Sequence, residues 1–447
     1  MASAAQHKHY LSGIDWFVKA LDQRTRAKTG SGSTSQIAIA LAGKINPADV
    51  RDRLNRFLEA HPILAGRCRR NPLNLAPYWQ LPRTMQSAVI ALDVRPDLSD
   101  FGVLPPPALA GEVNQPLAGL PRIAFTLAPG ENRSWLAMRF DHQLLDAGGA
   151  ERLLQHIGGN TGTYLSAGDR RVHLDQWMEK FRSGQKVNRT LLALRDTQPP
   201  AALPCPERGR PVPSLFIFRS FDPQQCQTIT ANAEQCVGYL MLLPFLLGVS
   251  VNAFHALCRR QGIDGRHYVI PVTMNARRPA DIDTVFFNHL SFNFYRFEAA
   301  AAANRPLLWQ QAATQMYRQA ADRIAYHVQQ AGYPLRILPA AWLGRLMGLP
   351  LAGTLGSFSF ALVGGKEYDA DTFMDTPIEN IYHMPRVPSP PGIGIYFNRY
   401  RDRLNMVFSY LEGMLTREDA EQMVDAIAEH LLEQNGRPAP TPDQTIL

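Results

Sequence analysis

The sequence predicts an α/β protein built as two units, and three observations carry that reading. Ser134 to Ile157 passes from a strand pattern to a helix pattern through a short turn. Asp196 to Pro213 holds six Pro and no helical or strand period, in a chain of 447 residues that is too long for one simple core. Beyond that stretch alternating strand patterns return, and a capped helix closes the chain. The Pro-rich stretch is therefore expected to be a linker between residues 1–200 and 201–447.

In the first part, Ser35 to Leu41 alternates as a strand. Asn46 caps the helix that Pro47 opens, with Val50, Leu54, Phe57 and Leu58 on its buried face. His61, just before Pro62, ends that helix and has no catalytic part to play. Asn71 to Pro121 is rich in Pro, with Val89 to Val94 the clearest strand and Pro105 to Pro107 a loop. Ile123 to Leu127 is the next strand, turned at Pro129 to Asn132. Leu136, Met138 and Phe140 then alternate with Ala137 and Arg139, the period of a strand with one buried face. Asp146, Gly148 and Gly149 form a turn into Leu153, Leu154 and Ile157, whose spacing is that of an amphipathic helix.

In the second part, Leu215 to Phe221 is a strand. Val237 to Val249 is apolar but interrupted by Pro244 and Gly248; it is short for a membrane span and reads as a buried segment. Tyr268 to Thr273 is a strand, Arg277-Arg278-Pro279 breaks it, and extended structure resumes from Val285. Leu307 to Val328 has the period of one long helix. Ile393 to Phe397 and Leu404 to Phe408 make a hairpin around Arg399 to Arg403, and Thr416 caps a last helix through Leu432.

Composition narrows the function. With 45% hydrophobic and 19% charged residues the chain is an ordinary globular protein. The excess of 46 Lys+Arg over 39 Asp+Glu, a net +7, suits an anionic partner such as the phosphates of CoA or an acidic carrier protein, and is also common without one. Arg67, Arg69 and Arg70 are the densest basic cluster, and no basic–aromatic interleaving points to nucleic acid. The five Cys are scattered and never in a CxxC pair, so neither disulfides nor a zinc site is expected and a reducing cytoplasm is the default. The start, Met1 to Lys8, lacks the apolar core of a signal peptide.

His142 is the residue on which chemistry would centre. A His held on a turn behind a rigid strand can face a cavity, as general-base catalysis requires. Among the 12 His only His142 has an Asp four residues on. The local residues fit equally a His that caps a core strand.

His142-Gln-Leu-Leu-Asp146-Ala147-Gly148 resembles the HxxxDG signature of the CoA-dependent acyltransferase superfamily, which includes condensation domains, chloramphenicol acetyltransferase and wax ester synthases. The opening Tyr10 to Phe17 and the phrase His61 to Arg67 are similar to the same enzymes. The resemblance implies an α/β, chloramphenicol-acetyltransferase-like fold of two lobes, each a mixed sheet flanked by helices, with an active-site tunnel between them. It implies His142 as general base and Asp146 as structural support paired with an Arg. The backbone N–H groups of Gly148 and Gly149 are then candidate oxyanion donors. Tyr268 to Phe297 resembles the family's strand ending at Arg before an "FGN" element, here Phe286-Phe287-Asn288 without the Gly, which makes Arg277 or Arg278 the partner of Asp146. Asp141 stands where condensation domains carry a further His, and Ala147 where they carry the first Gly.

A free imidazole titrates near pH ~6.5, so a neutral ring can take the acceptor's proton. With no GxSxG turn, direct attack without an acyl-enzyme is expected. The expected protein is a cytoplasmic, monomeric, stand-alone acyltransferase of natural-product or lipid biosynthesis. Its donor is an acyl-CoA or acyl-carrier phosphopantetheine thioester, its acceptor an alcohol or amine, and it carries no permanent cofactor, metal or membrane span. The plant-type DFGWG signature is absent. Two rival readings are an inactive condensation-like docking protein and a membrane-associated lipid-handling protein.

Overall fold

A computed structural model describes residues 8–82, 88–98, 102–117, 119, 121–159, 176–206, 211–277, 284–364 and 370–433. The chain begins with β1 (Lys8–Tyr10), α1 (Gly13–Thr29), β2 (Thr34–Ala42), α2 (Pro47–Ala60), β3 (Arg67–Arg70), β4 (Pro77–Gln80) and β5 (Ala91–Val94). It continues through α3 (Pro107–Gly111), β6 (Ile123–Ala128), β7 (Arg133–Asp141), α4 (Ala147–Gly158) and α5 (Trp177–Ala193). The second part runs β8 (Ser214–Phe221), α6 (Pro223–Cys236), α7 (Leu242–Arg260), β9 (His267–Asn275), β10 (Leu290–Glu298), α8 (Ala299–Ala302), α9 (Arg305–Ala321) and α10 (Ile324–Leu335). It ends with α11 (Ala340–Leu346), β11 (Ser359–Gly364), β12 (Thr372–Phe373), β13 (Thr376–Pro385), β14 (Ile393–Tyr400), β15 (Arg403–Leu411) and α12 (Arg417–Leu432).

Two six-stranded mixed sheets, one per lobe, form the frame. The first has the order β12-β13-β2-β7-β6-β5 and the second β10-β9-β11-β14-β15-β8; a small sheet, β1-β4-β3, lies apart. The alternation in β2 explains how the lobes meet. Its large residues Ile37, Ile39 and Leu41 face the core that includes Val50 and Leu54 of α2 and Leu153 and Leu154 of α4. Its small residues Ala38 and Ala40 face the other way, with Ala137 of β7, and pack with Val407, Phe216, Phe218 and Tyr396 of the second sheet. Small side chains on one face let the two sheets approach.

The sheets do not follow the division of the sequence near residue 200. β13, from the second part, pairs antiparallel with β2, matching His383 to Ile37 and Met384 to Gln36. The Pro-rich stretch is fastened to both lobes: the Ala201 amide donates to the His267 carbonyl and the Val212 amide to that of Thr29.

Two sequence expectations need correction. The helix expected over Leu307 to Val328 is two, because Arg323 adopts the left-handed conformation (φ 52°) between α9 and α10. Pro244 and Gly248 do not interrupt the apolar run. Pro244 sits in the first turn of α7, where a missing N–H leaves no bond unmade. At Gly248 an added Cβ would lie 2.6 Å from the Trp309 ring, so glycine is what lets α9 close on α7. α7 is, by length and composition, the one helix among the described residues able to cross a membrane, and 67% of its apolar window is buried inside the protein, as befits a core helix.

Candidate active site

β7 runs through the middle of the first sheet, between β2 and β6, and ends at Asp141. His142 follows on the turn. Leu144 and Leu145, both fully buried, anchor that turn in the core beneath α4. The loop between β9 and β10 crosses it from the second lobe: Leu145 forms an isolated bridge with Phe287, whose amide donates to the Leu144 carbonyl at 2.6 Å.

Asp146 is the N-cap of α4 and is 4% exposed. Its Oδ1 accepts from the Gly149 amide at 2.7 Å and from Arg277 Nη2 at 2.5 Å, and its Oδ2 from the His289 amide at 2.7 Å. Burial alone would raise its pKa; the Arg277 guanidinium and the backbone donor outweigh that and hold it at about 2. Of the two candidate Arg partners, Arg277 makes this contact, and Arg278 lies outside the described residues. The carboxylate thus ties α4 to the β9–β10 loop.

The geometry also fixes the tautomer of His142. Asn288 Nδ2 donates to the His142 carbonyl at 2.9 Å and to Asp15 Oδ1 at 3.3 Å. Both are acceptors only, so the Asn288 amide is oriented with Oδ1 towards His142 Nδ1, 3.1 Å away. Nδ1 therefore carries the proton and Nε2 keeps its lone pair. Asp15, in the first turn of α1, is itself held by the Ser12 amide and hydroxyl, each at 2.7 Å. These second partners of His142 lie 146 and 127 residues away in sequence, and no local pattern around His142 points to them.

Phe287 stands where the family phrase has Gly, and it adopts φ 67°. The left-handed backbone that glycine would take freely is kept by a residue whose ring is fully buried beside Trp79. Gly149 is required for a different reason: an added Cβ would lie 2.3 Å from the Val285 carbonyl oxygen. The Gly149 amide, expected as an oxyanion donor, is spent on Asp146. The Gly148 amide lies in the same helix's first turn, where N–H groups have no intrahelical partner. Asp141, in the place of the additional His, pairs with Arg122 at 3.4 Å, and burial raises its pKa.

A cavity of about 170 Å³ opens between the lobes at this point. His142, Ala147 and Gly148 border it from one side, and β9, β11 and β14 from the other. His61 and His255 do not border it: His61 stacks on Phe57, and His255 meets the Tyr268 hydroxyl at 2.8 Å.

No family model and no curated protein matches the sequence. Solved structures do. A trichothecene 15-O-acetyltransferase from Fusarium sporotrichioides superposes with a TM-score of 0.68 at 12% identity, covering 96% of this chain and 97% of that one. The starter condensation domain of rhizomide synthetase, in complex with C8-CoA and Leu-SNAC, gives 0.64 at 16% identity over 96% and 95% of the two chains. The chain has the two-lobed fold of the CoA-dependent acyltransferase and condensation-domain superfamily. The epimerization domain from the third module of tyrocidine synthetase B is also similar, with a TM-score of 0.58 at 14% identity over 95% and 96%. One fold hosts more than one reaction, so the chemistry has to be argued from the site.

Proposed function

We propose that this protein is an acyltransferase that moves an acyl group from a CoA or carrier-protein thioester to an alcohol or amine, with His142 as general base. The observation that carries the reading is the hydrogen bond from His142 Nδ1 to Asn288, which leaves Nε2 as the basic atom of a residue bordering the cavity. The acceptor's O–H or N–H proton passes to Nε2 as its oxygen or nitrogen bonds to the thioester carbonyl carbon. The carbonyl oxygen, now negative, is met by the Ala147 and Gly148 amides at the start of α4, where the helix dipole also favours negative charge. The C–S bond then breaks, and the leaving thiolate takes the proton back from Nε2. No acyl-enzyme forms. Asp146 and Arg277 hold the turn and do not touch the reacting atoms. The rhizomide starter domain, solved with C8-CoA, supports an acyl-CoA donor.

The test is thiol release from acyl-CoA and acyl-carrier thioesters with pooled alcohols and amines, comparing wild type with His142→Ala. Release should fall by ~10²–10⁴-fold in the variant, the usual worth of a general base. Silence from both proteins with donor binding intact would favour a carrier-binding protein without catalysis.

A further inference from the structure

The densest basic cluster of the sequence, Arg67 to Arg70, has no part in the transfer chemistry. It lies on β3, whose alternation turns Cys68 inward against the cluster of Trp16, Ala20, Ala340 and Leu343 and leaves Arg67 and Arg69 exposed. The loop that follows is tight: Asn71 Oδ1 accepts from the Leu73 amide at 2.9 Å, and Asn74 Oδ1 from the Ala76 amide at 3.1 Å. Leu73 stands out from it 94% exposed, and Leu75 takes a left-handed backbone, φ 57°. Arg70 fastens this loop to the turn between α10 and α11. Its Nε donates to the Leu75 carbonyl at 3.1 Å and its Nη2 to the Ile337 carbonyl at 2.5 Å.

Beyond Ile337 the Trp16 indole donates to the Leu338 carbonyl at 2.9 Å, and α11 then lies against α1 with Ala340, Leu343 and Gly344 buried. A Cβ on Gly344 would stand 2.6 Å from the Ala20 carbonyl oxygen. With that face of α11 spent, the helical period turns Trp342, Arg345 and Leu346 outward, and Leu349 follows in the next turn of chain. Trp342 is 62% and Leu349 65% exposed. Single exposed apolar side chains are ordinary, but a group of them marks an interaction face. Its charge is of one sign. No Asp or Glu occurs between Glu59 and Asp93 or between Asp322 and Glu367, the two stretches that build this face, while Arg67, Arg69 and Arg345 are exposed on it.

We infer that this face docks the protein on an anionic lipid bilayer, with Leu73, Trp342, Leu346 and Leu349 entering the headgroup layer and Arg67, Arg69 and Arg345 meeting lipid phosphates. Side chains that stand out singly from a loop and a helix suit a soft surface that closes round them, whereas a protein would need a pocket for each. An indole and aliphatic side chains interleaved with Arg are the composition of a helix bound in the plane of a membrane surface. The apolar α7, buried in the core, has no part in it. α1 turns Trp16 and Ala20 towards this face and Asp15 towards the Asn288 amide, 2.8 Å away, so the docking face and the support of His142 share one helix. The inference does not depend on acyl transfer.

The test is co-sedimentation of the full chain with vesicles of phosphatidylcholine, alone or mixed with phosphatidylglycerol, at low and high salt. Each Arg near an anionic surface adds roughly fivefold to binding, so partition onto the mixed vesicles should be stronger by about tenfold or more. High salt should remove most of that difference. Leu73→Ser/Trp342→Ser and Arg67→Gln/Arg69→Gln/Arg345→Gln should each lose about tenfold or more on the mixed vesicles. Tyr239→Ser, also an exposed aromatic but in the turn between α6 and α7, should lose nothing. All these side chains are exposed, and thermal melting checks that the fold is kept. Equal partition onto both vesicles, partition unchanged in either multiple variant, or the same loss in Tyr239→Ser overturns the inference. So does a wild type that stays in the supernatant; if it then self-associates or retains an acyl-carrier protein and Leu73→Ser/Trp342→Ser does not, the face belongs to a protein.

Discussion

The tie between Asp146 and Arg277 can be broken from either end. Arg277→Met leaves the Asp146 carboxylate buried with only the Gly149 and His289 amides to meet it. In the folded protein the Asp146 pKa is about 2 against an ordinary 3.8, a difference worth on the order of 2 kcal/mol of stability. Because this pKa is lowered by folding, that contribution is complete above pH 3.8 and is lost as the pH falls through about 2. Removing the guanidinium costs more than this, about 3–5 kcal/mol, since a buried charge is stranded. Urea unfolding followed by circular dichroism at pH 7 should give a loss of that size for Arg277→Met and a similar one for Asp146→Asn. The double variant should lose clearly less than the two losses added together. The acid limb of stability in Arg277→Met should move to higher pH. A loss under about 1 kcal/mol for Arg277→Met, or simple additivity in the double variant, would refute the account of Asp146 as a buried fastener.

Two further outcomes follow from the same loop. Asn288→Leu frees the imidazole of His142 to turn and change tautomer, and should cut kcat by about tenfold or more, part of the ~10²–10⁴-fold worth of a general base, with donor affinity held; steady-state kinetics and donor titration separate the two. Gly149→Ala forces a Cβ against the Val285 carbonyl and should lower stability by about 1–3 kcal/mol in urea, whereas Ala147→Gly, in the half-buried first position of α4, should cost about 1 kcal/mol or less.

The sequence was legible where neighbours in the chain are neighbours in space. The β7-to-α4 junction, the β14–β15 hairpin and the Thr416-capped α12 are all local patterns, and each is found where periodicity and capping place it. The break between α9 and α10 was not legible, because Arg323 in a left-handed conformation carries no Gly or Asn to announce it. β13 escaped notice because Thr376 to Pro385 has little alternation of its own and becomes a strand by pairing with β2. The same reason hides the support of His142. An Asn whose amide is oriented by a carboxylate on α1 depends on three distant segments meeting, and spacing along one of them says nothing of the other two.

The pairing of β13 with β2 sets an order of events during synthesis. β2 is complete once residue 42 is made, yet its partner on one side is not supplied until residues 376–385 have left the ribosome. Until then the first lobe presents an unpaired edge, the kind of surface on which chains aggregate or find the wrong partner. His383 arrives on that same late strand. A nascent chain arrested before residue 376 would therefore contain His142, Asp146 and Arg277 but still lack a wall of the cavity they serve.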